Sequence, residues 1–158
     1  MPKVKKDKKA STTSSSSTGP ILLKDLQWDN RKKLWRTSDR RRQWSSFKDK
    51  QLNNGGTYRL KGDLSVKIPL PDLFSDDLYD PGTSNITSLL LHRIQSCDLE
   101  TLHLENQNIT FNEYLKLTAS KNISMLFFDF VKITDEDGTV VSVDRIMAQL
   151  PKIRRIEM

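Results

Sequence analysis

The side chains best suited to covalent or acid–base chemistry, His92, Cys97 and His103, lie close together in the sequence. A thiol beside an imidazole is the pattern of a nucleophile with its base, and it works only when the two groups reach hydrogen-bond distance. The spacing assigns no such contact here. His92 falls near the apolar face of a helical pattern, His103 sits in a strand pattern, and lone His and Cys residues serve structure more often than catalysis. No phosphate-cradling glycine loop, zinc-ligand spacing or paired-carboxylate motif accompanies them. Two acidic clusters offer oxygen ligands: Asp72, Asp76, Asp77 and Asp80, and then Asp135, Glu136 and Asp137. The first matches no dedicated cation loop, and the second lacks the later bidentate Glu, so both read as polar turns around Gly82 and Gly138. The chain therefore reads as noncatalytic, with no cofactor and no metal site expected.

What would position any functional side chain is a repeated spacing of apolar residues. From Leu99 the separations three, five and ten reach Leu102, Leu104 and Ile109; from Ile123 the same separations reach Leu126, Phe128 and Ile133. A shorter third unit holds Ile153, Ile156 and Met158. On a strand the fourth and sixth positions of such a unit face inward together, and the later Ile turns the chain over the strand's end toward a returning helix. Helix signals follow in step. Thr110 and Glu113 form a capping box ahead of Tyr114, Leu115 and Leu117; Ser142 precedes Val143, Ile146, Met147 and Leu150, which Pro151 ends. Ser84 or Asn85 caps a further helix, running to about Gln95 through Ile86, Leu89, Leu90 and Ile94. Leu64, Val66, Ile68 and Leu70 alternate as a strand, placed at an edge because Pro69 cannot donate to a ladder. Repeat units of this kind are stacked to build a binding surface, which points to recognition rather than chemistry.

The run Leu99-Glu100-Thr101-Leu102-His103-Leu104 through Asn108-Ile109 resembles the leucine-rich repeat. The strand-end Asn of that family falls at Gln107 in the first unit and at Val131 in the second. From Leu89 to Met158 the order of elements is similar to the C-terminal repeat region of nematode-expanded F-box-associated proteins. The resemblance implies parallel strands with helices on the outer face, and a substrate-recognition role linked to ubiquitin ligases; the preceding segment does not resemble an F-box. The expected fold class is thus α/β, a short leucine-rich-repeat-like strand–helix stack preceded by a disordered basic N-terminal arm.

Charge divides the chain unevenly. Of 26 Lys and Arg residues 17 precede Gly62, against 5 of the 20 acidic ones, a net of +12; the remainder, 9 basic against 15 acidic, carries −6. Residues 1–20 are a Lys/Ser-rich tail that cannot repay the entropy of ordering, and Lys3, Lys5, Lys6, Lys8 and Lys9 fit a nuclear import signal. Residues 21–56 read as a basic arm and linker with two short helices, ended by Asn53-Asn54-Gly55-Gly56, and residues 57–158 as the repeat-like domain. The arm sets Trp28, Trp35 and Trp44 among Arg31, Lys32, Lys33, Arg36, Arg40, Arg41 and Arg42, which suits phosphate contacts with base stacking on single-stranded nucleic acid, or else tryptophans that pack the arm onto the acidic body while the charges stay solvated. The single Cys97, the lack of a signal-peptide core and the lack of a membrane-length apolar run lead us to expect an intracellular protein, cytoplasmic or nuclear, with no membrane contact.

The main expectation is a protein partner. With the apolar positions inward, the open side of the strands carries Thr101 and His103, then Met125, Phe127 and Asp129, then Arg155. Adjacent apolar residues on an open sheet face either mark a contact site, with Phe127 and Met125 as its anchor, or lie beneath a covering loop such as residues 71–84. The last strand offers an unpaired edge, and self-association or pairing with a partner is expected there.

Overall fold

Alternation of side chains sets the architecture. In the strand Tyr58–Lys67, Tyr58, Leu60, Leu64 and Val66 are buried while Arg59, Lys61, Asp63 and Lys67 are exposed, the period of a sheet with one covered face. The computed structural model describes residues 19–38, 44–47, 57–68 and 85–158, with the side chains of 38 and 44–47 excepted. The Lys/Ser-rich tail to residue 18, Arg40, Arg41 and Arg42, the turn at 53–56 and the acidic loop 71–84 lie outside the described residues.

The chain is mixed α/β with a mostly parallel sheet and few, short helices. Its strands are β1 (Ile21–Asp29), β2 (Leu34–Ser38), β3 (Trp44–Phe47), β4 (Tyr58–Lys67), β5 (Ile94–Glu105), β6 (Asn108–Thr110), β7 (Met125–Asp129), β8 (Lys132–Thr134) and β9 (Arg155–Glu157). The helices are α1 (Ile86–Leu91), α2 (Phe111–Leu117) and α3 (Val143–Met147). The main sheet runs in the order β3-β2-β1-β4-β5-β7-β9, and from β1 to β9 every pairing is parallel. β6 and β8 form a second, two-stranded sheet.

One register row holds the core. Leu26, Leu64, Leu102 and Leu126 lie side by side, all fully buried, and Trp28, Val66, Leu104 and Phe128 form the next row. Each such leucine contributes about 2 kcal/mol of apolar burial. The buried residues of α1, α2 and α3 join this core, and among the described residues no element covers the other face. Neighbouring crossovers are tied to one another: Lys116 Nζ donates to Leu91 O at 2.6 Å, and Tyr114 Oη donates to Ile146 O at 3.0 Å. The capping box at Thr110 is present, Glu113 N donating to Thr110 Oγ1 at 3.2 Å and Thr110 N to Glu113 Oε2 at 2.7 Å. Among the described residues no helix is long and apolar enough to cross a membrane.

Four expectations need correction. The two short helices expected in the basic arm are absent from residues 21–38, which form strands β1 and β2; β1 pairs with β4, in one sheet with the repeat-like segment. The strand pattern was masked by a bulge: Asp25, at φ 48°, shifts the register between Lys24 and Leu26, so Leu23 and Leu26 both face inward. The strand around Leu64 is interior rather than at an edge, since β4 ends at Lys67, before Pro69. Finally, two helices are shorter than their apolar stripes. α1 stops at Leu91, because Ile94 already opens β5, and α3 stops at Met147.

Gly62 lies beside the bulge at φ 84°, and a Cβ there would meet Asp25 Oδ1 at 2.2 Å. That carboxylate oxygen instead accepts from Asp63 N at 3.2 Å. Gly62→Ala is expected to cost about 2 kcal/mol through both the positive φ and the clash, read from urea unfolding of the full chain. Trp35→Ala is expected to lower stability by about 3 kcal/mol in the same measurement; a loss near zero would mean that β2 adds nothing to the common core.

Candidate functional site

The open face of the parallel sheet is built by register. Asp63, Thr101, Met125 and Arg155 are successive partners across β4, β5, β7 and β9. The next row runs Arg36, Gln27, Ser65, His103, Phe127 and Glu157 across six strands, and a third holds Lys67, Glu105 and Asp129. All six residues assigned to a partner surface from sequence therefore share one face: Thr101, His103, Met125, Phe127, Asp129 and Arg155.

Phe127 is the centre of that face. The His103 ring lies 5.3 Å from its centroid at 30°, and the Arg155 guanidinium sits 5.3 Å from the same centroid on the neighbouring strand. Arg155 also donates to Glu157 Oε1 from Nε at 2.9 Å and from Nη2 at 2.6 Å, which holds the guanidinium beside the ring. Met125 is 38 % exposed and Phe127 half-buried, so apolar surface remains between charged neighbours. Thr101 contributes less than expected to polar recognition, because its Oγ1 is shielded and has no hydrogen-bond partner among the described residues. At the rim, directly after Asp129, Phe130 is 69 % exposed and held at φ 50°. Asn106 occupies the equivalent place after β5 at φ 53°, a conformation that Asn tolerates and Phe does not favour.

Sequence reasoning missed the contribution of β1 and β2 to this face. Gln27 and Arg36 extend the Phe127 row, but the bulge at Asp25 hides the alternation that would have placed them. Ser65 and Lys67 were visible in the alternation of β4.

The residues proposed for nucleic-acid contact divide. Trp28 and Trp35 are 3 % and 1 % exposed and pack edge to face with centroids 5.1 Å apart, so neither offers a ring to an unpaired base. Their types suited stacking, but the strand pair turns both into the core. Arg31, Lys32 and Lys33 are exposed in the turn between β1 and β2, and Lys33 Nζ donates to Asn30 Oδ1 at 3.0 Å. Arg36 lies on the open face; Arg40, Arg41, Arg42 and the side chain of Trp44 lie outside the described residues.

The catalytic candidates do not converge. Cys97 points into the core, where burial pushes its thiol up to about 11, opposed by nearby Lys116, while His103 is on the opposite face of β5. His92 was expected near the buried face of its helix; it is exposed, as the C-cap of α1. The acidic stretch after β8 is a turn, with Thr139 N and Oγ1 donating to Asp137 Oδ1 at 2.9 and 2.7 Å and lowering that carboxyl's pKa. Asp135 is paired with Arg145, which also stacks 4.4 Å from the Phe111 ring centroid. Among the described residues no group of three or more His, Cys, Asp or Glu could hold a metal. The chain matches no protein-family model, no curated protein and no solved structure, so its own geometry is the ground for a functional reading.

His103 provides a titratable marker of the face. Burial, and then the positive charge of Lys67, lower its pKa below the usual 6.5, against the opposing carboxylates of Asp129 and Glu157. An imidazole with a lowered folded pKa is neutral in the fold and charges more readily in the unfolded chain. Its contribution to stability is full above the unfolded value and is lost as pH falls through the folded one. NMR titration should place the His103 midpoint below 6.5, and His103→Asn should flatten the fall in unfolding free energy between about pH 7 and pH 5.

Proposed function

We propose that this protein is a noncatalytic protein–protein interaction module, recognising its partner through the open face of the parallel sheet around Phe127. The observation that carries the reading is Phe127 itself. A half-buried aromatic ring lies between His103 and Arg155, beside exposed Met125, with charged side chains around it. That is the composition of an interface anchor, an apolar centre inside a polar rim. Exposed Phe130 adds apolar surface at the edge of the same strand, in a backbone conformation that a small polar residue would occupy at lower cost.

We further propose that the sheet is a leucine-rich-repeat-like stack and that recognition is of the F-box-associated, substrate-selecting type. Several features support the stack. The spacing of 24 residues from Leu102 to Leu126 and from Ile109 to Ile133 is also a register of paired strands. Asn106 and Phe130 repeat one left-handed corner at that spacing. Gln107, where the family places its strand-end Asn, is fully buried; its Oε1 accepts from Thr87 N at 3.1 Å and Thr87 Oγ1 at 2.9 Å, and its Nε2 donates to Asn106 O at 2.8 Å. A side-chain amide that ties a strand end to the preceding crossover is the kind of contact an asparagine ladder makes, here in one unit.

Nucleic-acid binding is the competing reading, and it rests on Arg31, Lys32, Lys33 and Arg36 contacting phosphates without the two buried tryptophans. Affinity capture with the full chain separates the two. The double variant M125S/F127S should retain the far-UV spectrum and thermal transition and lose protein capture by about thirtyfold, the effect of removing an anchor worth about 2 kcal/mol. Undiminished protein capture, or salt-sensitive RNA as the bound species, would overturn the proposal.

A further inference from the structure

β9 forms one edge of the main sheet, paired with β7 on one side and, among the described residues, with nothing on the other. Arg154 N and Arg155 N both donate to Ser124 O, at 2.8 and 3.1 Å, where the strand begins, and from Arg155 onward the pairing with β7 is in register. Successive residues of a strand turn their backbone groups to opposite sides, so the N–H and C=O of Ile156 face the open edge. The covered apolar row opens at the same residue: Leu126 is 0 % exposed, and Ile156, its register partner, is 36 % exposed. An edge with an outward amide pair and a half-covered isoleucine is a template for another strand.

The charges on that strand specify which one. Arg155 and Glu157 flank Ile156 and share the open face, giving a plus–apolar–minus order over three residues. Read antiparallel against itself, this order is self-complementary; read parallel in register, it sets like charges together. We propose that a second copy of this chain pairs here, β9 against β9, antiparallel about a two-fold axis at Ile156. Ile156 of each copy exchanges N–H···O=C bonds with Ile156 of the other, and the two side chains cover one another on the core face. Arg155 of each copy then lies opposite Glu157 of the other, in the closer, non-hydrogen-bonded pairs where charge matters most. In the single chain the same Arg155 bonds its own Glu157 at 2.6 Å, and both side chains are exposed, so one exposed ion pair per copy is exchanged for a cross-copy pair. The contact is isologous and closes at two copies. It uses neither Met125 nor Phe127, and it shares with the open face only Arg155 and Glu157.

Sedimentation velocity of the full chain over a concentration series tests it. The chain should pass from monomer to dimer within roughly the micromolar to millimolar range expected of a small interface. Arg155→Glu and Glu157→Arg should each move that midpoint at least about tenfold higher, by setting like charges opposite one another. The double reversal R155E/E157R restores the self-complementary order and should return the midpoint to near that of the unmodified chain. Ile156→Pro removes the outward N–H without touching the bonds to β7 and should leave a monomer with an unchanged thermal transition. A chain that stays monomeric to about millimolar concentration would overturn the proposal. So would single reversals without effect, a double reversal no tighter than the singles, or growth beyond the dimer.

Discussion

The structure depends on covering a parallel sheet from one side only. Parallel strands need crossovers, and crossovers of one hand moving in one direction across a sheet all land on the same face. Here the row Leu26, Leu64, Leu102 and Leu126 is fully buried, in one core with helices that are individually too short to be stable alone. The other face receives no covering element among the described residues, so every second residue of β4, β5 and β7 is free to be polar, charged or adhesive. The open face is in this sense a by-product of the core: each inward leucine fixes the outward position of the residue beside it.

Local conflicts along the chain are resolved in favour of that row. Asp25 adopts a left-handed conformation and Leu23 and Leu26, three residues apart, both face inward, while Gly62, also left-handed, lies opposite it on β4. Asp25 fills the space that any side chain at residue 62 would need. Thr87 and Gln107 are buried polar residues, and each finds its partner in the other, fastening the start of α1 to the turn after β5. Tyr114 does the same between α2 and α3 by donating its phenol, which burial keeps protonated, to the Ile146 carbonyl. The crossovers are thus held by a few satisfied polar contacts rather than by helix length.

The repeated part of the fold was legible because its spacing recurs, even though β5 breaks its alternation between Leu99 and Leu102. Leu102 and Leu104 with Leu126 and Phe128 gave the inward rows, the outward residues followed, and the Thr110–Glu113 box announced its helix. The first strands were illegible for a physical reason. The irregularity at Asp25, opposite Gly62 and Asp63, puts Leu23 and Leu26 on one face three residues apart and breaks the period of two, and a segment with Arg31, Lys32 and Lys33 at its turn looks like a solvated arm. The tryptophans were open to two readings: an aromatic beside cations fits both a stacking platform and a ring packed on the body with its charges solvated, and for Trp28 and Trp35 burial decides for the second. The His103–Phe127 contact could be anticipated as two residues on one face, whereas the cation over the ring required the register of β9.

The central claim is that β1 and the repeat strands share one core and therefore one open face. Native-state hydrogen exchange under increasing denaturant measures this directly, amide by amide. The amides of Leu26 and Trp28 in β1 should exchange with an opening free energy matching those of Leu102 and Leu104 in β5, and all should converge on the global unfolding value. Protection confined to β5 and β7, with β1 amides exchanging near the unfolded rate, would contradict the account, because the leucine row would then end at β4 and the open face with it.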